Sequence, residues 1–350
     1  DLIVDTGSSN TWVGADTRFR STSTTKATNQ RVAVDYGSGS FSGTEFIDQF
    51  VIDPGLVISQ QSIGVASKVR SVFVAFLIPE FNTLLSRRAS KVLMGSSGIL
   101  YDLYRVNSVL LMPPSVGYNR IGPANLTLGT LSPDTDSTIP TVADNLFTQG
   151  TIAAHEIGIL FAPSITLNGV ITWGGVDSTL FTGSITFIPL TKTSPASEFW
   201  GIDQSITYAG KSILGQTAGI VDTGTTLILI ADDGFAAYQK ATGAVFDTTT
   251  QLLKITSGQF ANLQPLLFNA GGGTFSLTPN GQIWPRVLNT DIGGVTGAIY
   301  LVVNSLGTPS GIGFDFVNGF AFLERFYSVF DTANNRVGFA TTQFTNAVTN

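Results

Sequence analysis

The sequence contains no cysteine and a single histidine, His155, among its 350 residues. Without cysteine, the chain cannot form disulfides, use a thiolate as nucleophile or build the usual cysteine-containing zinc sites. A Ser-His-Asp mechanism needs an imidazole beside the serine, and the G-x-S-x-G motif of many such enzymes is absent. We therefore predict that His155 is a surface or packed residue, and we predict neither a metal site nor a cofactor.

Charged residues are also scarce, at 12% of the chain, and their balance gives a net charge of −6. No run of basic residues is present, which disfavours nucleic acid and anionic membranes as partners. The apolar run from Val72 to Ile78 is far shorter than the ~20 residues that a membrane-spanning helix needs. With 43% hydrophobic residues over 350 positions, the chain is expected to fold into two lobes.

Glycine and proline, with 38 and 14 residues, separate short stretches rich in Val, Ile, Phe, Thr and Tyr. This spacing predicts a mainly β fold built from many short strands. Alternation of apolar and polar residues in Arg31–Tyr36 and Gly43–Asp48 predicts a β-hairpin with Gly37–Ser40 between its strands. Helical patterns are rarer, and two short helices are predicted over Pro140–Phe147 and Ala231–Lys240.

An internal repeat organises most of the remaining sequence. The segment Leu2–Ser9, which contains Asp-Thr-Gly-Ser, recurs 217 residues later as Gly219–Thr226, which contains Asp-Thr-Gly-Thr. In both copies an apolar stretch with the character of a strand runs into the Asp-Thr-Gly motif. Because this spacing is the size of a domain, the repeat predicts two similar β lobes that face each other across a cleft.

The repeat supplies two carboxyl groups, Asp5 and Asp222. Two carboxyl groups that share one proton across a bound water can hydrolyse a peptide bond, because the ionised one takes a proton from the water while the protonated one polarises the carbonyl. The adjacent glycines allow close backbone approach, and the neighbouring hydroxyls can orient the carboxylates. Each motif alone could be an ordinary turn, since Asp and Gly favour turns. The matched pair favours the catalytic interpretation.

These motifs resemble those of the pepsin-type aspartic endopeptidases, and most closely those of the cysteine-free fungal polyporopepsin group. Asp5–Val13 resembles the first active-site signature of the family and Asp222–Thr226 the second, while Tyr36–Ser40 resembles the flap and Tyr327–Ala340 the closing hairpin. The resemblance covers residues 1 to about 65 and those from 121 to the C-terminus. It implies a mainly β, bilobal fold with two pseudo-twofold-related β lobes, a central cleft and a flap hairpin.

The resemblance also implies a role for each matching residue. It implies that Asp5 and Asp222 are the catalytic pair of an enzyme that hydrolyses internal bonds of extended polypeptides at acid pH. The resemblance also implies that Trp12 hydrogen-bonds the Tyr36 hydroxyl. For the flap the alternative is an ordinary exposed hairpin, and for the apolar subsite residues it is core packing. Support of the active-site loops is implied for Thr6, Gly7, Ser8, Thr223, Gly224 and Thr225, and flap or substrate contacts for Tyr36, Gly37, Ser38, Trp12, Ile99, Phe199 and Ile220.

The resemblance further implies a secreted, monomeric enzyme that needs no cofactor and binds statine-type inhibitors. The alternatives are a non-catalytic pepsin-like protein that binds polypeptides or another enzyme, or a product inactivated by truncation and insertion. Non-catalytic relatives normally lack one catalytic Asp, the flap Tyr or a bracing hydroxyl. This sequence retains all of them.

One segment, at about residues 66–120, departs from the family pattern. From Val65 to Ile121 the chain has seven basic and two acidic residues, a net charge of +5 in an otherwise acidic sequence. We expect this segment to be wholly or partly foreign to the mature enzyme, and a long surface insertion is the alternative. The predicted lobes are residues 1–140, which include this segment, and residues 141–350.

Two further departures concern the surroundings of the active-site loops. The first strands of the family do not precede Asp5, so we expect the 350-residue chain to aggregate or to be poorly active. The family pattern of two apolar residues and a glycine, which packs behind each loop, is expected at Gly98–Tyr101, with Tyr in place of Gly. In the second lobe it is expected at Phe316–Gly319, with a polar residue inside the pattern.

Overall fold

The computed structural model describes residues 2–14, 18–36, 39–71, 100–101, 117–163 and 169–350. Most of its regular structure is β, as the spacing of glycine and proline predicts. Before residue 140, the described strands are β1 (Leu2–Asp5), β2 (Trp12–Val13), β3 (Lys26–Tyr36), β4 (Gly39–Asp53), β5 (Leu56–Ser71), β6 (Leu100–Tyr101), β7 (Gly117–Arg120) and β8 (Leu131–Ser132).

The remaining strands and the α-helices follow residue 140. The strands are β9 (Glu156–Phe161), β10 (Gly169–Trp173), β11 (Thr182–Pro189), β12 (Gly201–Tyr208), β13 (Lys211–Val221), β14 (Ile228–Ile230), β15 (Val245–Asp247), β16 (Leu252–Ile255), β17 (Leu266–Ala270), β18 (Gly273–Leu277), β19 (Ile299–Tyr300), β20 (Val303–Ser305), β21 (Phe316–Asn318), β22 (Phe326–Asp331) and β23 (Arg336–Thr341). The described helices are α1 (Val142–Thr148), α2 (Asp232–Thr242), α3 (Ser257–Ala261) and α4 (Phe320–Leu323).

Two seven-stranded sheets hold the two copies of the sequence repeat. The first has the order β1-β7-β2-β5-β4-β3-β8, and the second has the order β18-β17-β12-β13-β21-β14-β20. A six-stranded sheet, β11-β23-β22-β9-β10-β6, and a three-stranded sheet, β15-β16-β19, complete the described β structure. One sheet is built from residues before 140 and the other from residues after 200, so each copy of the repeat lies in a sheet of its own.

The predicted hairpin is formed by β3 and β4, and it is longer than the sequence pattern indicates. The strands pair antiparallel, with Tyr36 opposite Gly39 and Asp35 opposite Ser40. Gly39 and Ser40 were expected between the strands, but they extend the ladder because neither residue hinders an extended backbone. The connection therefore shrinks to Gly37 and Ser38, which lie outside the described residues.

Both predicted helices are confirmed. In α1, the Thr141 hydroxyl accepts the Asp144 N–H, and the Asp144 carboxylate accepts the Thr141 N–H at 2.7 Å, which satisfies the free donors at the helix start. The second carboxylate oxygen of Asp144 lies 2.8 Å from Nε2 of His155. The imidazole of His155 also stacks on Phe147, so this residue is packed, as the sequence predicts.

The largest buried apolar cluster connects the second lobe to the first active-site loop. Besides residues of the second lobe it contains Val4 and Ile121 from the first, and Trp200 donates a hydrogen bond to the Ile121 carbonyl at 3.1 Å. These contacts fix the two loops relative to one another. In the described part of the chain, no helix combines the length and hydropathy needed to cross a bilayer.

Candidate active site

The two Asp-Thr-Gly loops leave their sheets in the same way. Strand β1 ends at Asp5 and is paired in parallel with β7, while β13 ends at Val221, one residue before Asp222, and is paired in parallel with β21. Val4 and Val221, at or near the ends of these strands, are buried in the core. Their packing fixes the position of each strand end. The backbone that follows each strand is thereby held rigidly at the end of that strand.

The segment behind the first loop differs from the expectation. Leu100 and Tyr101 pair with β10 in the six-stranded sheet, so the expectation that they pack behind this loop is wrong, while Gly98 and Ile99 lie outside the described residues. That place is taken by β7, because β7 supplies the parallel partner of β1. A Cβ atom on Gly122, two residues after β7, would lie 2.7 Å from the Ser8 carbonyl oxygen, so the loop packs where only glycine fits.

Two threonines tie the loops together through a symmetric set of four buried hydrogen bonds. The Thr6 N–H donates to the Thr223 hydroxyl at 3.0 Å, and the Thr223 N–H donates to the Thr6 hydroxyl at 2.9 Å. The Thr6 hydroxyl donates to the Val221 carbonyl at 3.1 Å, and the Thr223 hydroxyl donates to the Val4 carbonyl at 2.9 Å. Each loop therefore holds the other in position.

Each aspartate is oriented by the residues that follow it. Asp5 accepts the Gly7 N–H at 2.8 Å and the Ser8 hydroxyl at 2.5 Å. Asp222 accepts the Gly224 N–H at 2.8 Å and the Thr225 hydroxyl at 2.6 Å. These equivalent contacts hold both carboxyl groups in fixed orientations.

The two carboxyl groups meet between the loops. Each carboxyl group lies against the glycine of the opposite loop. A Cβ atom on Gly7 would lie 2.5 Å from an Asp222 oxygen, and one on Gly224 would lie 2.6 Å from an Asp5 oxygen. Glycine at these two positions is what allows the carboxyl groups to approach each other.

The environment keeps a proton on this pair. Burial, and then the negative charge of Asp5, raise the pKa of Asp222 to about 7, although its hydrogen bonds from Thr225 and Gly224 favour the ionised form. A pair of interacting carboxyl groups loses its protons in two separated steps. Over the intervening pH range the pair holds one proton and one negative charge, which are the proton donor and the base that water activation needs.

The sequence matches the family model described as eukaryotic aspartyl protease over residues 1–79 and 126–342. The chain belongs to this family. It is an aspartic-type endopeptidase, a hydrolase of peptide bonds, and its mainly β, bilobal fold is that of the pepsin-like proteases. Among the residues that the structure describes, no cluster of His, Asp or Glu could hold a metal ion.

Similar proteins support the same assignment. The chain is 51% identical to polyporopepsin from Irpex lacteus over 353 residues, which cover 100% of this chain and 92% of that protein. It is 25% identical to pepsin A from Sus scrofa over 354 residues, covering 97% and 77% of the two chains. The crystal structure of an aspartic proteinase from Irpex lacteus superposes with a TM-score of 0.85 at 51% identity, covering 100% of this chain and 92% of the other.

The flap residues of the protease are described only in part. The backbone of Tyr36 ends β3. Gly37, Ser38 and the subsite candidate Ile99 lie outside the described residues, so their roles stay predictions, as does the hydrogen bond from Trp12 to the side chain of Tyr36. Trp12 itself is buried and stacks on Phe41 of β4, with ring centroids 4.6 Å apart, which anchors the flap hairpin to the first lobe.

The other two subsite candidates of the protease lie in one apolar cluster. Ile220 is buried in it, and Phe199 is partly buried against it. Side chains alternate along a strand, so Ile220 shares a face of β13 with the position of Asp222, whereas Val221 points to the main core on the opposite face. The cluster consists of Ala196, Ala218, Ile220 and Val317 with Phe199, Leu229, Leu306 and Phe314 packed against them.

A buried amide pair explains the polar residue behind the second loop. Asn318 is fully buried, and its side-chain amide exchanges two hydrogen bonds with Gln204, at 3.0 and 2.9 Å. Because each amide satisfies the other, a polar residue is tolerated inside an otherwise apolar pattern. The next residue, Gly319, has no space for a side chain, since a Cβ atom there would lie 2.2 Å from the Leu227 carbonyl oxygen.

Most of residues 66–120 lie outside the described part of the protease. The match to the family model stops at residue 79 and resumes at residue 126, so it omits most of this segment. That the segment is foreign to the mature enzyme stays a prediction.

Proposed function

We propose that Asp5 and Asp222 are the catalytic residues of this aspartic endopeptidase. The observation that supports this assignment is that two carboxyl groups, each held by matching contacts on mutually braced loops, meet at the glycines of those loops. Thr6 and Thr223 fix the distance between the loops, and Ser8 and Thr225 orient the carboxyl groups. All of these side chains are almost fully buried or partly buried, so the geometry is set before substrate binds.

In the proposed reaction, the carboxyl group of Asp222 is protonated and that of Asp5 is ionised. Asp5 takes one proton from a water molecule as the water oxygen bonds to the peptide carbonyl carbon, and Asp222 gives its proton to the carbonyl oxygen. Asp5 then gives its proton to the amide nitrogen of the resulting gem-diol, the carbon–nitrogen bond breaks, and a hydroxyl proton of the gem-diol passes to Asp222. The products are a carboxylic acid and an amine, and the pair again holds one proton.

The proposed substrate is a polypeptide in an extended conformation, bound between the two lobes beneath the flap hairpin. Gly7 and Gly224 are proposed to line the cleft, and Ile220 and Phe199 to contact an apolar substrate side chain. We also propose that the protease is a secreted monomer that binds statine-type inhibitors, with lobes at residues 1–140 and 141–350. These points are supported by the resemblance to the fungal members of the family.

The pH dependence of kcat/KM tests the proposed mechanism. Activity needs one proton on the pair, and burial raises the pKa of Asp222 to about 7. We therefore expect kcat/KM for an apolar peptide to be highest in acid and to fall about tenfold per pH unit once pH exceeds the upper pKa of the pair.

Two controls separate this fall from unfolding. Initial rates are measured within seconds of a pH jump, and a sample returned to acid should recover its activity. A kcat/KM that stays constant from acid through pH 9 would contradict a mechanism that depends on a shared proton.

A further inference from the structure

The sequence contains one acceptor motif for N-linked glycosylation, Asn125-Leu126-Thr127, called the sequon below. It is the only place in the 350 residues where Asn is followed two positions later by Ser or Thr with a residue other than Pro between them. Such motifs also arise by chance, so the motif marks a site only if the folded chain presents its Asn to solvent. The structure describes all three residues.

Asn125 lies on a tight turn at the surface of the protein. The turn is a 3₁₀-helix of four residues, Ala124–Thr127, and the Asn125 carbonyl accepts the Leu128 N–H at 3.1 Å. Asn125 is exposed. Gly129 has φ of +76°, and a Cβ atom there would meet no atom of the described chain within 4 Å. A bulky oligosaccharide on Asn125 therefore has open space on this side of the turn.

The hydroxyl of the sequon is not available in the folded protein. Thr127 is fully buried, and its hydroxyl donates to the Ala124 carbonyl at 2.7 Å and accepts the Ile139 N–H at 2.6 Å. Because the acceptor motif includes this hydroxyl, the sugar has to be added before the turn folds. The folded turn then keeps Thr127 inside and leaves Asn125 outside.

The same turn is attached to the first active-site loop. The Gly122 N–H donates to the Ser8 carbonyl at 2.9 Å, and the Ser9 hydroxyl donates to the Pro123 carbonyl at 2.6 Å. These contacts use the backbone and the Ser9 side chain. A change at the Asn125 side chain therefore leaves the active-site loop in place.

An exposed apolar side chain lies next to the sequon. Leu128, three positions after Asn125, is 56% exposed. Side chains three residues apart in a 3₁₀-helix lie above one another on the same side. The first sugars attached to Asn125 can therefore cover Leu128.

We propose that Asn125 carries an N-linked oligosaccharide that covers Leu128. In the transfer, Nδ2 of Asn125 bonds to C1 of the first sugar of a lipid-diphosphate-linked oligosaccharide, and the bond from C1 to the diphosphate oxygen breaks. The lipid diphosphate leaves, and the side-chain amide gives up one proton. The proposal rests on the proposed secretion of the protease, because this donor is available to chains that enter the secretory pathway.

The test is peptide mapping by mass spectrometry of the full chain, produced in yeast behind a cleavable secretion leader. We expect the peptide that contains Asn125 to carry an oligosaccharide, which peptide-N-glycosidase releases while converting the Asn to Asp. Asn125→Gln should lose the oligosaccharide and keep its kcat/KM. Thr127→Ser keeps a hydroxyl and should retain the oligosaccharide, whereas Thr127→Val should lose it.

A second acceptor motif serves as the positive control. Gln149→Asn creates Asn-Gly-Thr at the exposed residues 149–151. Introduced together with Asn125→Gln, it should restore one oligosaccharide. An oligosaccharide on this engineered motif but none on Asn125 of the unchanged chain would overturn the proposal, because the transferase would then have acted on the chain without modifying Asn125.

Retention on a hydrophobic-interaction column tests whether the oligosaccharide covers Leu128. Enzymatic removal of the oligosaccharide should increase the retention of the unchanged protein more than that of Leu128→Ser. The matched control is Val51→Ser, since Val51 of β4 is also 56% exposed. This control should show the same increase as the unchanged protein. An equal increase for Leu128→Ser would contradict the covering of Leu128.

The native protein separates this proposal from the proposed function. It is isolated from the medium and from the cells of the organism that produces it, and both fractions are mapped and assayed for peptide hydrolysis in acid. An active, unmodified protein in the medium overturns the glycosylation proposal alone. An unmodified protein confined to the cells overturns the proposed secretion and this proposal with it. A modified protein without activity supports the glycosylation proposal and contradicts the catalytic assignment.

Discussion

Replacement of Asp222 by Asn is expected to lower kcat for peptide hydrolysis by about 10²–10⁴-fold, the range typical of a lost general acid–base group. The amide is similar in size to the carboxyl group and can still accept a hydrogen bond from Gly224 or Thr225. It cannot hold the proton that the carboxyl group gives to the peptide carbonyl. Steady-state hydrolysis of an apolar peptide at acid pH measures the loss, and far-UV circular dichroism checks the fold.

A matched control for this substitution is Asp177→Asn. Like Asp222, Asp177 accepts a backbone N–H and a threonine hydroxyl, both from Thr179, at 2.9 and 2.7 Å. Asp177 lies on a turn after β10, away from the paired loops. We expect its variant to retain the original kcat, and equal losses in the two variants would show that the effect on Asp222 is not catalytic.

The free energy of unfolding is expected to fall as pH rises from acid to neutral, with Glu45 as a main cause. Glu45 lies on β4 and is 2% exposed. One carboxyl oxygen accepts the Ser62 hydroxyl, while the other has no hydrogen-bond partner among the described residues. Burial raises the pKa of Glu45 to about 7, against an ordinary value of 4.5.

The sign of the effect follows from where the proton is held. Between pH 4.5 and about 7, the folded protein keeps the proton on Glu45 while the unfolded chain loses it. Stability therefore declines across this window, by roughly 3 kcal/mol for the full shift, and is preserved only at lower pH. The raised pKa of Asp222 acts in the same direction.

Glu45→Gln should remove this part of the pH dependence, because the amide cannot ionise and can still accept the Ser62 hydroxyl. Urea unfolding at pH 4 and pH 7.5 measures the difference in unfolding free energy. The control is Glu198→Gln, since Glu198 is exposed and its replacement should leave the pH dependence unchanged. If Glu45→Gln shows the same decline as the unchanged protein, another group causes the loss of stability.

The features that could be predicted from the sequence are those that depend on local patterns. The Asp-Thr-Gly loops, the hairpin of β3 and β4, and helices α1 and α2 all follow from residues that are neighbours in the chain. The family resemblance identified Thr6 and Thr223 as bracing residues. Both copies of the internal repeat carry threonine at this position. Two hydrogen bonds between the threonines, and one from each threonine to the carbonyl that precedes the opposite aspartate, show why both copies keep this residue.

The features that could not be predicted depend on pairing over long distances. The parallel partner of β1 is β7, more than a hundred residues further along the chain, and no local pattern distinguishes β7 from Gly98–Tyr101. The Ile-Gly pair at residues 121–122 was the one available signal, since glycine is needed where backbones meet. The hydrogen bond from Thr217 of β13 to Asp315 could not be predicted for the same reason, because the two residues are almost a hundred positions apart.

The most direct test of the central claim compares kcat for Asp5→Asn, Asp222→Asn and the variant with both substitutions, under single-turnover conditions at acid pH. If the two carboxyl groups act as one unit with one shared proton, each single substitution already removes the unit. The double variant should then lie within about threefold of the single variants. A double variant whose loss equals the product of the two single losses would contradict the claim that Asp5 and Asp222 work as a pair.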